Sequence, residues 1–362
     1  MDDTIAEKIK CTLSKTDWKV SRLERIAGGN ANFTYRGYLE SGNGTIVIKH
    51  SEPFAALNAD YQLDVGRSDY EWFMLSTLSP KPPARTDSFL VRSPKALGSF
   101  EHTKLIEDLP NSTTVKAYLS KYGADLQSEV ASELGTAIGR WLSWFHGWID
   151  GDDEEAVAVR NKIQHNPMAG PREYLYIGSY RDSMAQFPTE VDWPSDEQMG
   201  RIEKAVRAMY QRREGGIHGD FWTGNMILPD RAPAKENRSR EGEVDKIFIL
   251  DFEVSQLGSR SQDLAQCLAE LWMVYHFYEA QAPLHVMRGF ISGYAAGQDE
   301  QFALQIAMHF GIHIVVISWR YGWPKGDKLV ECVRFGNSCL VKGFEGDVDW
   351  FKATSLRFLF SS

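Results

Sequence analysis

The sequence predicts an α+β protein with two unequal lobes: a small β-sheet N-lobe over residues 1–109 and a larger, mainly helical C-lobe over residues 110–362. Three observations lead to this prediction. A length of 362 residues corresponds to about two domains of roughly 100–200 residues each. β-branched runs and short turns fill much of the first third. Beyond Pro110, the apolar residues instead recur at helical spacing.

The N-lobe is predicted to contain a hairpin, one long helix and two further strands. Val47 and Ile48 stand in a β-branched run behind a glycine-rich turn at 41–44, which is typical of the second strand of a hairpin. Apolar residues at helical spacing, followed by prolines between 80 and 83, predict the helix and its end. In order, the elements are strands over 34–39 and 45–49, a helix over about 69–78, strands at 90–91 and 104–107, and a connector near 107–110.

The C-lobe is predicted to be helical around one embedded hairpin. A long helix carries a single apolar stripe, formed by Val130, Leu134, Ile138, Leu142 and Phe145. A second helix begins at Ser195, where a capping-box pattern stands. Strands at 225–228 and 246–250 enclose the charge-dense segment 229–245, which is predicted to be a solvated loop with no assigned role.

Composition narrows the classes of partner. Lysine and arginine number 40 against 49 aspartates and glutamates, giving a net charge of −9. A protein that binds nucleic acid through its phosphates needs a basic surface, so no nucleic-acid partner is expected. The acidic balance is compatible with a cationic small-molecule substrate. The acidic first residues lack a signal pattern, the apolar run 310–319 is short for a membrane span, and the four cysteines are scattered. We therefore expect a cytoplasmic protein with buried free thiols and no membrane partner.

The strongest chemical signal lies in the segment 217–225, which reads IHGDFWTGN. Asp220 and Asn225 have the H-x-D-x-x-x-x-N spacing of the catalytic loop of phosphoryl-transfer enzymes. In such a loop the aspartate accepts the proton of an attacking hydroxyl, and the asparagine supplies a neutral oxygen to Mg²⁺. Alone, the segment could equally be a polar turn between two elements.

A second signal supports the first. Asp251 opens the sequence DFE directly after the apolar strand that ends at Leu250. A carboxylate at the end of a buried strand is well placed to hold a metal that bridges the β- and γ-phosphates of a nucleotide. An ordinary aspartate at a turn would look the same in isolation. Because the two signals follow each other across a hairpin in the required order, together they are much more specific.

Two charges in the N-lobe fit the same chemistry. Lys49 ends the run Val47-Ile48-Lys49, which matches the strand that places a lysine on the α- and β-phosphates. Glu71, on the next helix, is the natural ion-pair partner for that lysine. Asp69 lies near the same point of the helix, and each of these charges could instead be an ordinary surface group.

Two backbone segments complete the candidate nucleotide site. The segment 28–32 reads GGNAN, and its small residues Gly28, Gly29, Asn30 and Asn32 would let N–H groups approach phosphate oxygens. It does not match G-x-G-x-x-G and could be only a hairpin turn. The connector 106–109 could bind adenine through its backbone, an interpretation that depends on its place in the chain.

Taken together, these residues resemble the aminoglycoside phosphotransferase/choline kinase superfamily, whose members are small-molecule kinases with a bilobal protein-kinase-like fold. The resemblance covers nearly the whole chain, and the Phe221-Trp222 pair and the length look like its fungal-type members, among which are hydroxytryptamine kinases. The segments that carry it are 28–32, Lys49, Glu71, 107–109, 218–225, 251–253, Gly258 and 263–265.

The resemblance implies a role for each matched residue. It implies ATP and Mg²⁺ as cofactors, with Asp220 as the catalytic base and Asn225 and Asp251 as metal ligands. It also implies that Lys49 binds the ATP phosphates and that the Glu107 carbonyl and the Leu109 amide contact adenine. His218 and Asp263 would be structural and would hold the catalytic loop in place.

The chain departs from protein kinases at three points. Gly219 stands where they carry arginine, Glu253 stands where they carry glycine, and no A-P-E sequence follows 251–253. These departures argue against a protein substrate. We therefore expect an enzyme that transfers the γ-phosphate of ATP to a hydroxyl of a small molecule that is aminoglycoside-like, choline-like or another amino alcohol. The alternatives are a pseudokinase that only binds nucleotide and, less in keeping with the motifs, a protein kinase.

The acceptor is expected to lie under the γ-phosphate on the C-lobe. Acidic groups there would hold ammonium groups, and aromatic faces would hold a quaternary ammonium or an indole. Each candidate could also be a core residue, so the sequence does not choose the acceptor. The candidate lining residues are Trp222, Glu270, Trp272, Tyr275, Trp319 and Trp323.

Overall fold

The computed structural model describes residues 2–26, 31–42, 44–170, 174–233, 244–294 and 299–360, and it confirms the predicted α+β class. The first part contains α1 (Asp2–Leu13), β1 (Val20–Arg25), β2 (Phe33–Leu39), β3 (Thr45–His50), β4 (Phe54–Ala55), β5 (Asn58–Gln62), α2 (Arg67–Leu78), β6 (Ala84–Arg85), β7 (Phe89–Arg92), β8 (Ala96–Phe100) and β9 (Thr103–Glu107). The predicted hairpin, helix and two strands of this region lie within a few residues of β2, β3, α2, β7 and β9.

The second part is mainly helical. It contains β10 (Ser112–Thr114), α3 (Val115–Tyr122), α4 (Ser128–Ile149), α5 (Glu154–Ile163), α6 (Ser179–Gln186), α7 (Asp196–Gln211), β11 (Gly215–Ile217), β12 (Met226–Pro229), β13 (Asp245–Ile249), β14 (Gln256–Gly258), α8 (Ser261–Tyr278), α9 (Ala282–Tyr294), α10 (Glu300–Ile317), α11 (Asp327–Glu345) and α12 (Val348–Lys352). The apolar stripe falls on α4. Ser195 caps α7 by accepting the Gln198 N–H, as its capping pattern predicts.

An antiparallel sheet in the order β1-β2-β3-β9-β8 lies in the first part of the chain and contains the strand of Lys49. Its register places Thr34 opposite Lys49 and Ile46 opposite Glu107, so the lysine strand lies next to the strand that leads into the connector. The helix α1, which was not predicted, packs Ile5, Ile9 and Leu13 onto the apolar face of this sheet. The sheet is thereby a rigid support for Lys49.

A second sheet has the order β10-β12-β13-β7-β6 and contains the hairpin of β12 and β13, which follows Asn225. β12 and β13 pair antiparallel, with Met226 opposite Ile249, whereas β13 and β7 pair in parallel. β6 and β7 precede the connector in the chain and yet extend the sheet of the hairpin that follows it. The lobe boundary at residue 109 stays a prediction.

The main core lies beneath the second sheet and among α4, α8, α9, α10 and α11. Within the described ranges, α10 is the one helix long and apolar enough to cross a membrane, and 78% of that segment is buried inside the protein. Such burial is typical of a core helix. Three of the four cysteines are buried, as expected, but Cys11 on α1 is exposed.

Candidate active site

The loop between β11 and β12 presents the Asp220 carboxylate in a fixed orientation. Its Oδ2 accepts hydrogen bonds from the Asn225 amide at 2.8 Å and from the Trp222 indole N–H at 3.2 Å. Its Oδ1 accepts from the Gln266 amide at 2.9 Å. Donors on both oxygens restrain rotation of the carboxylate, an arrangement that a general base would require.

Asp263, at the start of α8, holds the loop from below. Its fully buried carboxylate accepts the backbone N–H of His218 at 2.7 Å and that of Gly219 at 2.9 Å. The buried His146 ring on α4 lies 3.0 Å from the same carboxylate. These contacts agree with the structural role that the resemblance implies for Asp263. His146 belongs to no motif, so its contact with Asp263 could not be predicted from the sequence.

The geometry at Gly219 explains the departure from the protein-kinase arginine. The residue has φ +84°, in the left-handed region that side chains rarely adopt. A Cβ built there would lie 2.3 Å from the carbonyl oxygen of Val254. The loop therefore passes too close to the 251–254 segment for any residue but glycine.

His218 joins the loop to the end of β13. Its Nδ1 accepts the Asp220 N–H at 3.2 Å, and its Nε2 lies 3.0 Å from the Leu250 carbonyl oxygen. Because a carbonyl oxygen can only accept, the ring carries its proton on Nε2. Burial lowers the pKa of His218, so the ring is neutral and suits both contacts.

Lys49 lies between two carboxylates, one of which is its expected partner Glu71. Its Nζ forms an ion pair with Glu71 on α2 and donates to Asp251 Oδ1 at 2.7 Å. Burial alone would lower the pKa of Lys49, but the neighbouring carboxylates raise it, so the ammonium stays charged. Asp69, the competing candidate on the same helix, instead pairs with Lys104 at 3.0 Å. The structure brings together Lys49, Glu71 and Asp251.

Asp251 occupies a strained backbone position next to the catalytic loop. Its φ of 69° lies in the left-handed region, which is uncommon outside glycine and concentrates at functional sites. Burial alone would raise the pKa of this carboxyl, but Lys49 holds it below its usual value. The residue is therefore an ionised carboxylate beside the lysine.

Glu253 lies two residues further along the chain, and the pKa of its carboxyl is shifted in the opposite direction. Burial and the neighbouring Asp251 raise its pKa to about 8. The Asn32 amide donates to its Oε2 at 3.1 Å, and Asn32 Oδ1 accepts from Ser51 and Arg67. Asn32, a candidate for phosphate contact, is thus buried in a network that links the first sheet to the 251–254 turn.

The donor chemistry at the hairpin end fits a magnesium ion. The Leu250 N–H donates to the Asn225 carbonyl at 2.9 Å, so Asn225 and Asp251 stand at the same end of the hairpin. The Asn225 side-chain NH₂ must face Asp220, because the carboxylate can only accept, and its Oδ1 is therefore directed elsewhere. An amide oxygen and an ionised carboxylate are ligands that Mg²⁺ prefers. Glu71, Asp251 and Glu253 also bring carboxylate oxygens within 4.8 Å of one another.

The structure describes only some of the residues that are predicted to contact phosphate and adenine. Gly28, Gly29 and Asn30 lie outside the described residues. Glu107 ends β9, and its side chain pairs with Arg92 at 2.7 Å, which leaves the predicted adenine contact to its backbone carbonyl. Leu109 follows in the connector and is half-buried.

Five of the six acceptor-side candidates separate into two groups, and the sixth, Tyr275, is half-buried against the main core. Trp272 stacks on Phe335 and belongs to the core, and the Trp319 indole N–H donates to Ser183 of α6. By contrast, Trp222, Trp323 and Glu270 converge on one side chain, the Lys116 ammonium of α3. Only this second group adjoins Asp220, through Trp222.

A buried hydrogen-bond chain connects Glu270 to the candidate base. Gln266 Nε2, already bonded to Asp220, also donates to the Tyr176 hydroxyl at 2.9 Å. That hydroxyl lies 3.2 Å from His313 Nδ1, and His313 Nε2 lies 3.0 Å from Glu270 Oε1. Gln266, Tyr176 and His313 escaped the sequence reasoning because they lie far apart in the chain and match no motif.

Comparison with known proteins defines the class. No family model matches the sequence. The chain is 24% identical to the phosphotransferase FrzJ of a Cladobotryum species over an alignment of 371 positions, gaps included. The alignment covers 95% of this chain and 93% of that protein. It is also 24% identical to the 4-hydroxytryptamine kinase of Psilocybe cubensis over 333 positions, in an alignment that covers 88% of this chain and 87% of that protein.

The solved structures supply the fold. The choline kinase of Cryptosporidium parvum superimposes with a TM-score of 0.51 at 10% identity, covering 100% of both chains. At that identity the similarity concerns the fold alone, and the predicted protein-kinase-like fold is confirmed. Fold and relatives together define a small-molecule kinase. The resemblance to the aminoglycoside phosphotransferase/choline kinase superfamily is likewise confirmed.

Proposed function

We propose that this protein transfers the γ-phosphate of ATP to a hydroxyl of a small molecule, with Asp220 as the catalytic base. The observation that carries the proposal is the convergence of three separate chain segments on one site. Lys49 contacts Asp251 at 2.7 Å, and the strand before Asp251 pairs with the strand that follows Asp220 and Asn225. Such a set positions phosphates and an attacking oxygen.

Each side chain has one task in the proposed reaction. Asp220 accepts the proton of the acceptor hydroxyl while the hydroxyl oxygen forms a bond to the γ-phosphorus. At the same time the bond between the γ-phosphorus and the oxygen that leaves with ADP breaks. Lys49, oriented by Glu71, binds the phosphate oxygens of ATP. Asn225 and Asp251 would hold Mg²⁺, which supplies charge neutralisation on the β- and γ-phosphates. Backbone groups of Glu107 and Leu109 would bind adenine.

The acceptor remains a small hydroxyl compound of the kinds that the relatives use. One curated relative is a 4-hydroxytryptamine kinase, and the structural neighbour is a choline kinase. We therefore propose a panel that contains 4-hydroxytryptamine, choline, ethanolamine and an aminoglycoside. The acidic overall balance of −9 is compatible with these acceptors, all of which carry an ammonium group at neutral pH.

The test compares Asp220→Ala with a matched control, Asp230→Asn. Asp230 follows the other end of β12, where it pairs on the surface with Lys121 at 3.0 Å. We expect acceptor-dependent ADP formation to be lost in Asp220→Ala and kept in the control, while both variants are still stabilised against heat by ATP with Mg²⁺. Turnover of Asp220→Ala at the wild-type rate would overturn the base assignment. Absence of any thermal shift with nucleotide in the wild type would overturn the function.

A further inference from the structure

The Lys116 ammonium of α3 lies inside a cluster of aromatic and acidic groups, here called the cation subsite and defined by Trp222, Glu270 and Trp323. Its Nζ lies 3.7 Å from the ring centroid of Trp323, 5.5 Å from that of Trp222 and 3.3 Å from Glu270 Oε2. Tryptophan faces together with a carboxylate are how proteins bind ammonium ligands. In this protein a side chain of the chain itself supplies the cation.

The charge of Glu270 makes a cation at this position necessary. The side chain is only 1% exposed. Burial alone would raise the pKa of its carboxyl, but His313 and Lys116 hold that pKa below its usual value, so the group is ionised. An ionised carboxylate that lost its partner at this depth would be strongly unfavourable. Lys116 is therefore the resident counterion, and any ligand ammonium would have to displace it.

The cation subsite borders the position of the reacting hydroxyl. Trp222 belongs to both, because its indole N–H donates to Asp220 Oδ2 at 3.2 Å. Its ring covers Gly224, where a Cβ would lie 2.2 Å from the indole. Trp323 is 3% exposed, and its indole N–H has no hydrogen-bond partner among the described residues. A molecule whose hydroxyl meets Asp220 would extend along the face of Trp222 toward this subsite.

We propose that Lys116 acts as a tethered ammonium that fills the cation subsite of the acceptor pocket. The wild-type protein consequently rejects acceptors that place a quaternary ammonium there and takes hydroxyl compounds whose group beside Trp222 is not cationic. The location of the acceptor rests on the proposed function, whereas occupancy of the subsite by Lys116 does not. Lys116 is thus a specificity-determining residue.

The test removes the tethered charge and offers a free one. Lys116→Met keeps the length of the side chain without its ammonium, and tetramethylammonium chloride is titrated by calorimetry against sodium chloride at equal ionic strength. We expect Lys116→Met to bind tetramethylammonium at least about tenfold more tightly than the wild type. The matched control is Lys121→Met on the same helix, an exposed lysine that pairs with Asp230. It should behave like the wild type.

Two further variants keep the test decisive. Lys116→Gln retains a donor toward Glu270, and it takes the place of Lys116→Met if that variant does not fold. It should gain the same binding of tetramethylammonium. Adding Trp323→Leu to either variant should remove the gain. Equal binding by the wild type and a folded Lys116 variant, or no binding by that variant, would overturn the proposal. Because the probe binds without phosphoryl transfer, failure of the proposed function would show separately, as absent ADP formation.

Discussion

Gln266 and Asp220 are joined by a hydrogen bond of 2.9 Å from the glutamine amide nitrogen to the carboxylate Oδ1. The other end of the same amide accepts the Phe221 N–H at 3.1 Å. A backbone N–H must meet an oxygen, so the orientation of this amide is fixed and its NH₂ has to face Asp220. A residue of α8 thereby orients the candidate base of a distant loop.

Changing Gln266 should affect the chemical step more than nucleotide binding. We expect Gln266→Leu to lower kcat about 10- to 100-fold, since a small misplacement of a reacting group is costly, with little change in the KM for ATP. Gln266→Glu should place a second carboxylate beside Asp220, raise the pKa of Asp220 and move the acidic limb of the kcat profile to higher pH. Gln198→Leu on α7, whose amide bonds Glu345, is the control. An unmoved pH profile in Gln266→Glu would contradict the positioning role.

The two acidic residues of α2 offer a matched pair. Glu71 pairs with Lys49, whereas Asp69 pairs with Lys104. We expect Glu71→Gln to lower kcat/KM for ATP about tenfold or more, because the lysine loses the partner that orients it. Asp69→Asn should leave kcat/KM for ATP unchanged. Initial-rate kinetics with ATP as the varied substrate measure both, and equal effects of the two substitutions would exclude a special role for Glu71.

The close approach at Gly219 can be separated from its backbone conformation. Gly346 has a similar φ of +72° but nothing within 4 Å of a built Cβ. We expect Gly346→Ala to lower the free energy of unfolding by about 1–2 kcal/mol. Gly219→Ala should cost about 1–3 kcal/mol more, since its Cβ meets the Val254 carbonyl. Urea denaturation measures both, and equal losses would show that the loop accommodates the methyl group.

His218 should make stability depend on pH below neutrality. Burial lowers its pKa in the folded protein, so the unfolded chain binds the proton more readily. The stabilisation that comes from the neutral ring is present above the unfolded pKa of about 6.5 and is lost as the pH falls through the folded pKa. In His218→Gln, the loss in free energy of unfolding on acidification should be smaller than in the wild type. Denaturant titrations at two pH values give this difference, and identical slopes would refute it.

Local patterns in the sequence predict the hairpin and the long helix, and they identify the two motifs at 217–225 and 251–253. Ile46 and Ile48 are buried and alternate with half-buried neighbours in β3, and the stripe that begins at Val130 lies on the buried face of α4. These patterns are visible because each repeats over one element. The same kind of pattern is present in α1, where Ile5, Ile9 and Leu13 recur every four residues, and it is sufficient to predict that helix.

Contacts between segments that lie far apart in the chain could not be predicted from the sequence. The residues that flank Gln266 in the sequence do not indicate its hydrogen bond to Asp220. Those that flank His146 likewise do not indicate its contact with Asp263. The sequence predicts a backbone N–H contact at Asn32 but not the buried network that its side chain forms with Glu253 through tertiary packing. Lys116 looks like any lysine of a first helical turn. Its neighbours come from three separate parts of the chain.

The parallel pairing of β7 with β13 has a consequence for the growing polypeptide. Phe89 to Arg92 leave the ribosome long before Asp245 to Phe248, with which they form the sheet. Contacts between such distant segments form slowly, because a long loop must close first. Until β13 arrives, β7 is an unprotected edge strand, which is a template for association with other chains. A nascent chain that is cut short after β12 should therefore depend on chaperones to stay in solution.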